Sequence, residues 1–296
     1  MKYDQKHVGL IGLGLVGSEL IKRLFVEGFT CSGYDVDEVA LQESAALGMV
    51  ALNSPREVAA SARRILLSLP NSAIVDEVVA GPEGLIHGLE RGDLIIDTTT
   101  TDPERSVHLA NTLLERGVHF LDATILGSSR MVAEGTALTM VGGEPDQLER
   151  AREILQAFAS QIHHLGKNGK GAEAKLIVNL VLGLNRLVLA EGLLLGKQAG
   201  VDLEALLAVL QGGAAYSKVM DQKGVWMITE NFTPEARLGQ HLKDVGLILD
   251  MGMKQDIKLP LTALHAQILR SGVKAGYGDL DNSAVIKALE HFTRAE

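Results

Sequence analysis

The chain has one cysteine, Cys31, in 296 residues. No internal disulfide can form, so nothing calls for an oxidising compartment, and strand packing is the role expected of that thiol. Clustered Lys and Arg are also missing, and the formal net charge is -9. A phosphate backbone is bound by concentrated positive charge, so no nucleic-acid partner is expected. The opening MKYDQKHVGL contains no apolar run of the secretory type. The long apolar stretch from Ala172 is interrupted by Asn179, Asn185, Arg186 and Glu191, which argues against a membrane span. The expectation left is a cytoplasmic protein. Internal repeats and a cluster of metal ligands are lacking too, so no metal site is expected.

What remains is an ordinary globular composition, 46% hydrophobic and 22% charged, in a length that suits two domains or one large one. The first half alternates. HVGLIG is a short apolar run rich in β-formers, GLGLVG follows, and SELIKRLFVEG carries apolar residues at helical spacing. Gly12, Gly14 and Gly17 form the G-x-G-x-x-G pattern in the strand-turn-helix order that a dinucleotide site requires. The first glycine allows the tight turn, the second lets a pyrophosphate approach the backbone, and the third lets helix and strand close up. Leu13, Leu15 and Val16 complete that loop, and the pyrophosphate would rest on the helix N-terminus. The next apolar run ends in Asp35. A carboxylate there accepts hydrogen bonds from ribose hydroxyls and repels a 2′-phosphate, so NAD is expected over NADP, with NADP still possible.

Further strands and helices follow. Ser54, Pro55 and Glu57 make a capping box. RILLSL reads as a buried strand with Leu69, Pro70 and Asn71 as the loop at its carboxyl end, and Asn71 can cap the next helix. DLIIDT is another strand, running into TTTTDP, where Asp102 and Pro103 start a helix; Thr99 and Thr100 are cofactor candidates by their place at a strand end. VHFLDA is a strand, and TILGSSRMVAEG reads as a turn with a short helical stretch. His163 and His164 read as structural. Strands alternating with helices indicate an α/β fold, a doubly wound, mainly parallel sheet over residues 1–166.

From 167 to 296 no strand is evident, and an all-helical second domain is expected. It opens on GKNGKGAEAKLIVNLVLGLNRLVLAEGLLLG, a glycine-rich basic loop feeding a helix that is apolar almost all round from Lys175 to Leu195. Such a helix is expected to be buried on every side. Lys175 and Asn179 lie four apart on it, on one face. A lysine is almost never buried without a partner or a task; either it snorkels to water, or it is a proton donor and acceptor with Asn179 beside it. This helix is the natural joint between the two halves, and a cleft there would hold nicotinamide and substrate together.

These segments together resemble the β-hydroxyacid dehydrogenases, which include 3-hydroxyisobutyrate dehydrogenase and the glyoxylate/succinic semialdehyde reductases. GLIGLGLVG is similar to the family's N-terminal fingerprint, with Val16 where methionine is usual. DTTTTDP resembles the segment carrying a cofactor-contacting threonine, here Thr100. GKNGKGAEAKLIVN matches the catalytic segment and places the family's lysine and asparagine on Lys175 and Asn179. HLKDVGLIL resembles the segment whose lysine, here Lys243, reaches the cofactor. GDLDNSAVIKAL matches the tail. The resemblance implies a reversible hydride transfer between NAD(P) and a small hydroxy acid or its aldehyde or keto form, in a homodimer or homotetramer. Lys175 would act as general acid and base.

One segment departs from the pattern. The family's substrate loop commonly reads DAPVSGG, and here it reads DATILGSS. Leu126 replaces the serine, Gly127 remains, and Ser128 replaces the second glycine of a loop that holds the substrate carboxylate. Three rival readings stand beside this one. An imine reductase-like enzyme usually lacks the lysine, a phosphogluconate-type dehydrogenase needs a longer helical domain, and a non-catalytic dinucleotide-binding interaction module has lost the lysine.

Overall fold

The computed structural model describes residues 6–294. Eight strands form one sheet: β1 (His7–Ile11), β2 (Thr30–Tyr34), β3 (Val50–Ala51), β4 (Arg64–Leu67), β5 (Leu94–Asp97), β6 (His119–Leu126), β7 (Ala137–Gly142) and β8 (Ala159–Gly166). Their order is β3-β2-β1-β4-β5-β6-β7-β8. The first six run parallel; β7 is antiparallel to β6, and β8 parallel to β7. Between them lie α1 (Gly17–Val26), α2 (Glu38–Ala46), α3 (Pro55–Ser61), α4 (Ser72–Ala80), α5 (Pro103–Leu114), α6 (Ser129–Ala133) and α7 (Pro145–Gln156).

Alternation along the strands explains the two covered faces. Val8 and Leu10, Leu66, Leu94 and Ile96, and Leu121 and Ala123 point to one core with Leu20, Leu24, Leu148 and Ile154 of α1 and α7. Ile11, Ile65 and Leu67, Ile95 and Phe120 point to the other, with Val58, Val75, Val79, Leu109 and Leu113 of α3, α4 and α5. A central parallel strand buried on both faces reads as a continuous apolar run, and each such side chain contributes roughly 1.5–3 kcal/mol. Cys31 lies in β2 at 1% exposure, and burial pushes its thiol up to about 12.

The helix starts follow the capping chemistry of the sequence. Ser54 accepts from Glu57 N, Asn71 from Ile74 N, and Asp102 from Glu104 N. In α3 the reciprocal carboxylate of Glu57 takes Asn53 N rather than Ser54 N. The exposed pair Val50–Ala51 is a short edge strand. One segment differs from the expectation: Thr124–Leu126 extends β6 instead of forming a turn, because β7 pairs with it through Leu126 opposite Leu138.

The helices after the sheet are α8 (Lys170–Gln198), α9 (Leu203–Gly212), α10 (Lys218–Thr229), α11 (Leu238–Lys254), α12 (Pro260–Lys274) and α13 (Val285–Arg294). The chain divides into two compact units at Lys175/Leu176, inside α8. The helical unit is built around Leu189 and Leu193 of α8, Leu207, Val219, Met227, Val245, Leu269 and Leu289. Asp281, fully buried, staples its far end by accepting from Lys223 Nζ, Glu235 N, Ala236 N and Ser283 N.

The expectation for α8 needs correction. It is long and apolar enough to cross a membrane by length and composition, and it is not buried on every side. Ile177, Val181, Val188 and Leu195 are 52–71% exposed. Their spacing of four, seven and seven residues puts them in one stripe. The opposite face holds the polar groups: Lys175, Asn179 and Arg186 are all buried. Apolar composition thus marks two separate faces on this helix, one for the core and one open.

Candidate active site

The loops after β1, β2, β4 and β5, and the end of β6, all lie at the carboxyl edge of the parallel strands. The strand order reverses between β1 and β4, and ligands of open α/β sheets bind at that switch point. The glycine loop follows β1. Gly12 has φ +92°, and a Cβ there would collide with the Ser68 carbonyl. A Cβ on Gly17 would strike the Gly12 carbonyl, whereas one on Gly14 would meet nothing within 4 Å. Turn, open approach and close packing therefore fall on the three glycines in the order their spacing implied.

Neighbouring loops are stitched to this one. Leu13 N donates to Asp35 Oδ2 at 2.6 Å, and Asp37 N to Asp35 Oδ1 at 2.8 Å. The carboxylate is thereby held against the glycine loop, where a ribose would lie. Leu69 N donates to Thr99 Oγ1 at 3.1 Å, so the buried Thr99 hydroxyl joins the loops after β4 and β5, while Thr100 beyond it is half-buried. Asn71 spends its side-chain oxygen on the cap of α4, and Pro70 is exposed beside it. An open approach at Gly14 and a fixed carboxylate at Asp35 fit a dinucleotide.

Leu126 closes β6 half-buried, with Gly127 and Ser128 after it. Ser128 is the N-cap of α6, its Oγ accepting from Met131 N at 3.5 Å. The hydroxyl hydrogen of Ser128 is then directed elsewhere, which gives the loop one side-chain donor despite the leucine.

Lys175 and Asn179 are 8% and 5% exposed, one turn apart on α8. At 8% exposure little of Lys175 reaches water. Asn179 Nδ2 donates to Asp244 Oδ2 of α11 at 2.9 Å, and Lys243 Nζ lies 2.8 Å from Asp244 Oδ1. Asp244 therefore holds Asn179 by a hydrogen bond and pairs with its neighbour Lys243 by charge alone, since its Oδ1 makes no hydrogen bond. Asp244 was missed in the sequence, although it follows Lys243 directly in HLKDVGLIL; a lysine–aspartate pair on one helix gives no hint that the acid faces another helix.

One and two turns further along α8 the same two helices meet again. A Cβ on Gly183 would lie 2.5 Å from His241 Nε2 and 2.9 Å from His265 Cε1. Arg186 Nη2 donates to His241 Nε2 at 3.3 Å. Burial pushes the Arg186 guanidinium down to about 10, so it stays charged at neutral pH. Burial, and then the Arg186 charge, push His265 down to about 4.

At the sheet edge, two acids sit side by side, with Asp97 of β5 in register with Asp122 of β6. Asp97 is pushed up to about 7, chiefly by burial, with Asp122 and Asp76 adding repulsion, and its Oδ2 has no hydrogen-bond partner. No group of three or more metal-binding side chains occurs among the described residues. His163 and His164 are exposed on β8, His164 bonded to the Gly143 carbonyl.

Known proteins resemble this chain over most of its length. Residues 7–166 match the family model of the NAD binding domain of 6-phosphogluconate dehydrogenase, and residues 169–289 that of the NAD-binding of NADP-dependent 3-hydroxyisobutyrate dehydrogenase. The chain is 32% identical to 2-(hydroxymethyl)glutarate dehydrogenase of Eubacterium barkeri, over 97% of this chain and 95% of that one. It is 30% identical to 2-hydroxy-3-oxopropionate reductase of Escherichia coli, over 96% and 97%. The crystal structure of a 3-hydroxyisobutyrate dehydrogenase from Salmonella typhimurium superposes with a TM-score of 0.87 at 27% identity, covering 95% of this chain and 99% of the other.

Proposed function

This chain belongs to the β-hydroxyacid dehydrogenase family of NAD(P)-dependent oxidoreductases, and from that premise we propose that Lys175 is its general acid and base, acting on a small hydroxy acid with NAD preferred. The observation that carries the reading is a lysine 8% exposed in α8, one turn from an asparagine whose amide Asp244 holds. When bound, a nicotinamide dinucleotide supplies or takes up the hydride. Lys175 manages the proton. As an ammonium its Nζ donates to the substrate oxygen during reduction; as an amine it accepts the hydroxyl proton during oxidation. Asn179, held through Asp244, orients a substrate oxygen or the lysine.

Asp35 supports the preference for NAD, since its carboxylate is fixed at the glycine loop by Leu13 N and would repel a 2′-phosphate. Leu126 bears on the substrate. It replaces a hydroxyl donor with apolar surface, so a substrate with an apolar substituent or a less demanding acid group fits better than glyoxylate. A homo-oligomer, dimer or tetramer, goes with this reading, supported by the open apolar stripe of α8.

The experiment is a turnover panel with NAD and NADP. It covers 2-(hydroxymethyl)glutarate, 2-hydroxy-3-oxopropionate, 3-hydroxyisobutyrate, succinic semialdehyde and glyoxylate. Lys175→Ala on the best substrate is expected to lower kcat by roughly 10²–10⁴-fold while NADH titration by fluorescence hardly changes. Near-normal turnover by a folded Lys175→Ala enzyme refutes the assignment.

A further inference from the structure

The start of α8 is not capped by its own sequence. It is held by a carboxylate some fifty residues earlier in the chain, Asp122 in the middle of β6. Gly169 N donates to Asp122 Oδ1 and Ala172 N to Asp122 Oδ2, both at 2.9 Å. Asn168 Nδ2 adds a bond to the Phe120 carbonyl at 2.8 Å and a longer one to Asp122 Oδ1 at 3.4 Å. Two strand positions on, the buried Thr124 hydroxyl donates to the Gly171 carbonyl at 3.1 Å. Backbone donors and an acceptor of the first helical turn are thus satisfied by side chains of one strand.

The fit has no slack. A Cβ on Gly171 would strike the Asp122 carbonyl and lie 2.6 Å from the Met140 carbonyl. A Cβ on Gly142 would lie 2.6 Å from Asp122 Oδ2. Asp122 is 1% exposed. Burial pushes its carboxyl upward, and the bonds from the Gly169 and Ala172 amides oppose that push; those bonds and the positive end of a 29-residue helix both favour the anion. Its register partner Asp97 has an unpartnered oxygen. Two adjacent buried carboxyls do not both ionise readily, so the geometry gives the charge to Asp122 and the proton to Asp97.

Lys175 follows Ala172 by three residues, within the next turn of the same helix. Asn179 is secured separately, by Asp244 on α11. Release of the first turn would therefore displace the lysine more than the asparagine.

We propose that Asp122 is a positioning residue for the proton-transfer step: its carboxylate, with the Thr124 hydroxyl, locks the first turn of α8 to the sheet and so sets the placement of Lys175. This rests on the assignment of Lys175 above. The clamp acts on kcat rather than on binding, because the loops that would hold the dinucleotide are fixed by other bonds and Asn179 by another helix.

The test compares Asp122→Asn, Thr124→Val and Lys175→Ala with the parent enzyme on the best substrate of the panel. Asparagine keeps the volume but turns a donor toward one of the two amides. Asp122→Asn is expected to lower kcat ten- to a hundredfold, with KM and the NADH dissociation constant within about threefold. Amide exchange in a peptide covering residues 166–175 should quicken at least tenfold. Thr124→Val should show the same pattern at several-fold size, and it decides the matter if Asp122→Asn does not fold. Parent kcat and parent exchange in the folded variants overturn the clamp, as does a fall in kcat matched by an equal loss of cofactor affinity. Full turnover by Asp122→Asn alone overturns the clamp, whereas full turnover by both Asp122→Asn and Lys175→Ala overturns the reading of Lys175 itself.

Discussion

Asn179 and Asp244 meet at 2.9 Å, amide to carboxylate, with both residues buried. The bond ties α8 to α11 at the turn next to Lys175. Removing one partner strands the other, at a cost of about 1–3 kcal/mol for a buried polar group. In a double-mutant cycle of Asn179→Ala and Asp244→Ala, a coupling of at least about 0.5 kcal/mol is expected from urea unfolding. Additive losses would mean the two side chains do not act as a pair.

Cofactor choice is expected to follow Asp35. The parent enzyme should show a higher kcat/KM with NADH than with NADPH, and Asp35→Asn should narrow the gap. Asparagine can still accept from Leu13 N through its oxygen, so the loop survives while the charge is removed. A parent enzyme that prefers NADPH would show that other groups override this carboxylate.

Substrate ranking is expected to follow Leu126. A lost hydrogen bond to a charged group is worth roughly 1.5–3 kcal/mol. Leu126→Ser should therefore raise kcat/KM for glyoxylate relative to a bulkier hydroxy acid by several-fold or more. The Ser128 hydroxyl offsets part of the difference in the parent. An unchanged ranking on glyoxylate, succinic semialdehyde and 3-hydroxyisobutyrate would remove this loop from the specificity argument.

Two buried groups oppose each other in the acid range. His265 falls from 6.5 to about 4 on folding, so its contribution is present above 6.5 and is lost as pH drops toward 4. Asp97 rises from 3.8 to about 7, so its contribution is present below 3.8 and is lost as pH climbs toward 7. At about 1.36 kcal/mol per unit, the two are comparable, about 3 and about 4 kcal/mol, and opposite in sign. Relative to the parent, Asp97→Asn should gain stability between pH 4 and 7 and His265→Asn should lose it. Urea midpoints at pH 4.5, 5.5 and 7 measure this, and parallel profiles for all three proteins would contradict both assignments.

Association is expected to use the α8 stripe. Val188 is 66% exposed in its centre. Val188→Glu should lower the mass seen by light scattering at micromolar concentration without loss of secondary structure. A monomeric parent, or a variant that keeps the parent's mass, would clear this face of the role.

Features set by neighbours in sequence were legible. The caps at Ser54, Asn71 and Asp102 and the alternation of strands and helices depend on residues within one turn or strand, and the glycine spacing was readable although Gly12 packs on the distant Ser68 carbonyl. What was not legible depends on partners far along the chain. Thr124–Leu126 becomes strand only because β7 lies beside it. Asp122 faces amides 47 and 50 residues away, and Asp244 an asparagine 65 residues away. The composition of α8 reported apolar surface but not what covers it, so an open stripe was read as buried.

Cys31 turns the cofactor sheet into its own clock. The thiol lies inside β2 at 1% exposure, with almost no thiolate at neutral pH. An alkylating reagent can reach it only while the core packed over β2 opens, so the labelling rate counts those openings. A dinucleotide that grips the ends of β1 and β2 must slow that rate as it saturates. Cofactor binding can then be followed by mass alone, one adduct per chain, with no substrate in hand.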